Sequence, residues 1–164
     1  LPYGRRYELP DDTLIKALYV ASGFGAVIAQ RASISGAEAG CQAEIGTAAA
    51  MAAAALVYLH GGSAVQMANA AAMALKNMMG LVCDPVAGLV EVPCIKRNAA
   101  GAMNALCAAE MALAGIESRI PPDEVIDAMA AVGAALPSSL RETGMGGIAA
   151  SPTAVKFREE FFGQ

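Results

Sequence analysis

Seven alanines crowd the fifteen residues IGTAAAMAAAALVYL at positions 45–59, and alanine occurs 38 times along the 164-residue chain. That choice narrows the fold more than any other feature. Alanine has the highest helix propensity and gives up no side-chain entropy in a helix. Its small side chain also lets helix axes approach closely. A sheet protein would draw on Val, Ile, Thr and aromatic residues, whereas here 56% of the residues are hydrophobic and only 5% aromatic. The expected class is all-α: a compact bundle of about six Ala-rich helices with a cysteine-bearing loop. This length suffices for one sizeable core, so residues 1–164 are expected to form a single helical domain.

The punctuation agrees with helices. Pro10-Asp11-Asp12 precedes the apolar segment TLIKALYVASGFGAVIAQ, in which Gly23 and Gly25 permit close contact with a neighbour. RASISGAEAG reads as a loop. A long helix is expected from about Cys41 to His60, stopped by Gly61-Gly62 in the position of a glycine cap. Ser63 and Gln66 form a capping-box pair for the next helix, which ends at Gly80. A cysteine loop covers roughly 81–96, and another Ala-rich helix runs through NAAGAMNALCAAEMALAG to Gly115. IPPDEVIDAMAAVGAAL gives a helix with proline in its first turn and acids near the positive end of its dipole. The glycine-rich RETGMGG comes before a short last helix starting near Ser151-Pro152. The opening LPYGRRYELPDD starts without Met and reads as a connecting segment, as in a piece of a longer polypeptide.

Several function classes fall away. The mean hydropathy is positive, but the longest apolar run is the fifteen residues 45–59, short of the ~20 that span a bilayer. It is mostly alanine and ends in His60-Gly61-Gly62, so a buried central helix is expected and no membrane. A net charge of −4 argues against nucleic acid as a partner, since that wants a basic face.

The four cysteines carry the chemistry. Disulfides belong to short secreted chains with thin cores, and this chain has ample core. Cys107 lies mid-helix in NALCAAEM and reads as a small buried hydrophobe. The other three stand at boundaries. Cys41 follows Gly40 and opens a helix, where free N–H groups and the dipole favour an anionic sulfur. Cys83 precedes Asp84-Pro85, and Cys94 follows Pro93. Backbone released from the helical ladder in this way can fold around a prosthetic group. Structural zinc more often shows paired C-x-x-C knuckles and four ligands. The spacing alone leaves a metal centre and small apolar filler both open.

ASISGAEAGCQAEIGTAAAMAAAAL, GLVCDPVAGLVEVPCIKRNAAGAMNA and RETGMGGIA, in that order, resemble the bacterial iron–sulfur-dependent L-serine dehydratases. The likeness is to the C-terminal portion of their α (catalytic) part, from about Ala32 to Ala109 and again from Arg141. The resemblance implies that Cys41, Cys83 and Cys94 are the protein ligands of a [4Fe–4S] cluster, leaving its fourth iron open as a Lewis acid. It further implies β-elimination of water from L-serine, giving aminoacrylate and then pyruvate and ammonia. Such a reaction needs a base for the α-proton and a clamp for the carboxylate. Titratable groups near the motifs are Glu38, Glu44, Asp84 and Lys96, with Arg97 as the clamp. Each also has a plain structural reading: Glu38 and Glu44 orienting backbone, Asp84 a turn former, Lys96-Arg97 a solvated helix start. Thr143 in RETGMGG is a candidate contact or an ordinary turn residue, and His60 is expected to complement a helix dipole.

The chain also departs from that family. An upstream glycine- and asparagine-bearing loop, the β part and a C-terminal cysteine found in some members are all missing from it. The expectation is therefore a fragment of a longer catalytic α domain, inactive alone, with the β domain or subunit, the upstream part and further copies of itself as partners. Reduced thiols and an oxygen-sensitive cluster point to the cytoplasm. Two other readings stand beside this one. One is a non-enzymatic helical interaction module with buried cysteines. The other is a pyridoxal-phosphate lyase, for which Lys16, Lys76, Lys96 and Lys156 sit in no suitable context.

Overall fold

Alanine packing against alanine builds the centre of the molecule. In the computed structural model, which describes residues 2–163, the order is α1 (Pro2–Arg6), α2 (Asp11–Arg31), α3 (Gly36–Ala39), a π-helical turn (Gln42–Gly46), α4 (Thr47–Leu59), α5 (Ala64–Asn77), α6 (Cys94–Leu113), α7 (Pro122–Ala135) and α8 (Pro152–Phe162). The all-α class is as expected, with no strand among the described residues. Among the described residues, eight α-helices replace the expected six or so. The additions are α1, in the supposed connecting segment, and α3, inside the supposed loop RASISGAEAG.

Helix α4 lies at the hub, packed on α2, α5 and α6, with α7 against α5. Ala50, Ala53 and Ala54 of α4 meet Ala70 and Ala74 of α5 and Ala105, Ala108 and Ala109 of α6 in one buried cluster. Burying a methyl stabilises by little, so the strength of this core lies in close approach and in many dispersion contacts. Gly25 serves that end, because a Cβ there would meet Met51 Sδ at 2.8 Å, whereas Gly23 faces open space. The Ser63–Gln66 capping box is present in full at the head of α5.

Among the described residues two stretches, Asp11–Arg31 and Gln42–Leu59, are long and apolar enough to cross a membrane by length and composition. The second is the largely buried hub of the bundle. The first keeps Ile15, Leu18 and Tyr19 exposed on its outer face.

Cys107 corrects the sequence reading, for it is exposed and not buried. The buried stripe of α6 runs through Gly101, Ala105, Ala108, Ala109 and Ala112, and position 107 falls outside that helical phase.

One polar side chain ties the hub to its surroundings. Gln42 is completely buried; its Nε2 donates to the Met129 carbonyl of α7 at 3.1 Å, and its Oε1 accepts from the Gly80 N–H at 2.9 Å. Gln42→Ala removes both bonds, opens a void and strands the Gly80 N–H. The expected loss is about 2–3 kcal/mol of unfolding free energy, read by denaturant titration.

Candidate metal centre

Three separate segments bring Cys41, Cys83 and Cys94 to one cavity. The first is the turn after α3. Gly40 adopts φ +79°, and a Cβ there would meet the Leu81 carbonyl oxygen at 2.8 Å, so glycine is required where the chain reverses into Cys41. The π-helical turn follows at once, a winding that is rare and concentrated at functional sites. The Gln42 N–H donates to the Leu81 carbonyl at 2.9 Å and binds this turn to the cysteine loop.

Cys83 is held from both sides. Its N–H donates to the Leu140 carbonyl at 2.9 Å, and its carbonyl accepts from the Glu142 N–H at 2.8 Å. These bonds form a short parallel bridge between Cys83 and Arg141, joining the two loops singled out in the sequence. Cys94 is the first residue of α6, not part of the loop before it, and its carbonyl accepts from Asn98 Nδ2 at 3.0 Å.

The cavity measures about 390 Å³ and is lined by the three cysteines together with Glu44, Asn98 and Glu142, among others. All three thiols are buried and free. The sulfurs of Cys41 and Cys83 and a carboxylate oxygen of Glu44 lie within 4.8 Å of one another. Cys94 faces the same space from the third segment. A Cβ on Gly36 would come within about 3.0 Å of both Cys83 Sγ and the Glu44 carboxylate, so glycine at this wall leaves room for both side chains.

Burial pushes the acidity of each thiol the same way. Cys41, Cys83 and Cys94 all have their pKa raised, chiefly by desolvation, with Glu44 opposing ionisation as well. The expected dipole effect at Cys41 is thus overridden, because the sulfur is enclosed. A bound cation inverts this balance and takes thiolates as ligands. Three buried, unpaired, convergent sulfurs form a soft donor set suited to iron–sulfur ligation.

The remaining candidates fall into two groups. Asp84 is 3% exposed and does not line the cavity. Its Oδ1 accepts from Arg97 Nη1 at 2.5 Å, and its Oδ2 accepts from the Ile148 N–H at 2.7 Å. Arg97 also donates to the Val82 carbonyl at 3.0 Å. The pair therefore fastens the chain beside Cys83 to the first turn of α6 beside Cys94. Glu38 is exposed; its carboxylate accepts from the Ser33 hydroxyl, and its carbonyl accepts from Arg141 at 3.3 Å. The Thr143 hydroxyl donates to the Ser139 carbonyl at 3.1 Å within its own turn. Lys96 is exposed, and His60 pairs with the Tyr3 hydroxyl at 2.6 Å, far along the bundle at the end of α4.

Of the acidic candidates only Glu44 reaches the cavity. Asn98 and Glu142 do so too, and sequence reasoning had passed over both. Asn98 lies one helical turn after Cys94, and Glu142 sits inside RETGMGG, so position relative to the motifs was the available signal.

Most of this chain also matches known proteins. The family model described as serine dehydratase alpha chain matches residues 1–149. The chain is 61% identical over 152 residues to a probable L-serine dehydratase alpha chain of Bacillus subtilis, covering 93% of this chain and 51% of that one. It is 56% identical over 160 residues to a probable L-serine dehydratase alpha chain of Latilactobacillus sakei, covering 98% and 77% respectively. With the L-serine dehydratase alpha chain of Peptoniphilus asaccharolyticus it shares 49% over 156 residues, 95% of this chain and 53% of the other. The chain thus spans about half the length of two of these relatives. A family match over nearly the whole chain and this level of identity place it: the chain belongs to the serine dehydratase alpha chain family.

Proposed function

We propose that this chain is the thiol-bearing part of an enzyme that dehydrates and deaminates L-serine to pyruvate and ammonia, with Cys41, Cys83 and Cys94 holding a [4Fe–4S] cluster. The observation that carries the reading is the convergence of three buried free thiols, from three segments, on one cavity. Such a cluster, held by three thiolates, supplies an iron with Lewis acidity toward a hydroxyl group.

The protein's own part is placement. The Asp84–Arg97 pair holds the Cys83 and Cys94 segments in register, and the Cys83 bridge joins them to the 140–142 segment. Ile34, Ile45, Pro85 and Val90 add apolar surface to the wall around the sulfurs. Glu44, Asn98 and Glu142 are the polar side chains left to meet a substrate in that space.

The same reading extends to partners. The chain acts as a piece of a longer α domain, joined by a β domain or subunit and by further copies of itself. The half-length coverage of its relatives and the bare apolar face of α2 support this. The free thiols favour a reducing compartment, the cytoplasm. Full-length protein reconstituted anaerobically with iron and sulfide is expected to release pyruvate from L-serine, and to stop when air or an iron chelator is admitted. Turnover unaffected by both would refute the cluster-dependent mechanism.

A further inference from the structure

The three sulfurs are not evenly placed. Cys41 Sγ, Cys83 Sγ and one carboxylate oxygen of Glu44 lie within 4.8 Å of one another. Cys94 lines the same cavity, yet among the described residues no set of three donors that includes it closes to that distance. The tight set is two thiols and a carboxylate.

A second observation points the same way. A Cβ on Gly36 would lie 2.9 Å from Glu44 Oε2 and 3.0 Å from Cys83 Sγ, so these two atoms stand over the same bare stretch of backbone. Glu44 belongs to the π-helical turn directly after Cys41, and the Cys83 backbone is held on both sides. None of the ion pairs among the described residues uses Glu44. Its charge opposes ionisation of both thiols, and a dication between the three groups reverses that opposition.

The spacing suits a single ion. Bonds of about 2.3 Å to sulfur and 2.0–2.2 Å to oxygen, at tetrahedral angles, hold ligand atoms roughly 3.5–3.8 Å apart. A set already inside 4.8 Å reaches that spacing by turning the exposed Glu44 side chain and shifting the sulfurs slightly. Two thiolates favour a zinc-type cation over magnesium or calcium. The exposed side of Glu44 leaves a fourth position for water.

We propose that, in protein without a cluster, Cys41, Cys83 and Glu44 bind one zinc-type divalent cation, with Cys94 taking no part. The proposal rests on the spacing of these donors and not on the dehydratase reading. It has a consequence for that reading, because a chain holding zinc here has two of its three cluster thiols occupied.

The test uses full-length protein, reduced and freed of iron and sulfide, titrated without oxygen with cobalt(II). The visible bands of cobalt report four-coordinate geometry, and its near-ultraviolet thiolate band reports bound sulfur. Wild type is expected to take one cobalt per chain through two thiolates and to surrender it to zinc. Even partners outside the ligand shell are worth about 10- to 100-fold in metal affinity. Cys41→Ser and Cys83→Ser are therefore expected to lose more than about 100-fold, and Glu44→Gln at least about 10-fold while keeping the thiolate band. Cys94→Ser is expected to bind cobalt as wild type does, although it loads no cluster. Circular dichroism checks the fold of each variant. No cobalt on wild type, equal losses in Cys94→Ser and Cys83→Ser, or unchanged affinity in Glu44→Gln would overturn the site. The dehydratase reading fails on a different result, the absence of pyruvate from iron- and sulfide-loaded protein.

Discussion

Cys83→Ser is expected to abolish iron loading, and Cys41→Ser and Cys94→Ser are expected to do the same. Each sulfur is buried, and the Cys83 backbone is fixed by bonds of 2.9 and 2.8 Å on either side, so a serine oxygen there cannot shift to make up for the lost thiolate. A serine hydroxyl is a hard, weakly acidic donor where iron–sulfur ligation uses soft thiolate. The variants lose little else, because serine is close to cysteine in size; folding of the metal-free form is expected to change by no more than about 1–2 kcal/mol. Cys107→Ser is expected to load normally, its side chain standing outside the cavity on an exposed face of α6. The pH dependence has a definite sign. Burial raises the pKa of all three thiols, so they are protonated in the metal-free protein near neutrality and must release protons to bind iron. Loading therefore weakens as pH falls. Iron analysis of the four variants, with circular dichroism to check folding, decides the matter.

Asp84→Ala is expected to be the most destabilising polar substitution in the site. It leaves Arg97 without its counter-charge and the Ile148 N–H without an acceptor, in a region where the carboxylate is 3% exposed. Removing one member of a buried ion pair costs ~3–5 kcal/mol. The Arg97 side chain keeps 22% of its exposure, which places the expected loss near the lower end, about 3 kcal/mol. That is a large part of the 5–15 kcal/mol that holds a typical domain together. A Cβ at Gly147 would also collide with Asp84, so the loop closes over this carboxylate and cannot follow an alanine inward. Asp84→Asn is expected to lose less, since its amide oxygen can still accept from Ile148. Denaturant unfolding of the metal-free forms separates the two variants; equal stability of Asp84→Ala and wild type would mean the pair does not brace the site.

The sequence carried the class of the fold because alanine is a local signal: propensity and close packing act wherever it stands. The Ser63–Gln66 cap was legible for the same reason, being complete within four residues. Helices α1 and α3 were not, because segments of five and four residues hold their shape only through what packs on them. Cys107 shows the limit of apolar context. Leu106, Ala108 and Ala109 beside it are hydrophobic, but only the positions of α4 and α5 determine which side of α6 is buried. The π turn after Cys41 was not legible either, and the bonds Gln42 makes there reach Gly80 and Met129, far along the chain. Asp84 and Arg97 each read as catalytic or structural alone; thirteen residues apart, they reveal their partnership only in the folded chain. The three motif cysteines stood out by their places at loop and helix boundaries, but only the resemblance named them as one set; the structure brings them to one cavity, and the acidity expected for Cys41 gave way to burial.

The most direct test of the three-thiol centre is the iron and acid-labile sulfide content of full-length wild-type protein isolated without oxygen. A [4Fe–4S] cluster on Cys41, Cys83 and Cys94 predicts about four iron and four sulfide per chain. Iron without sulfide would contradict the cluster in favour of a mononuclear iron site; finding neither would contradict it and leave the three buried thiols as packing alone.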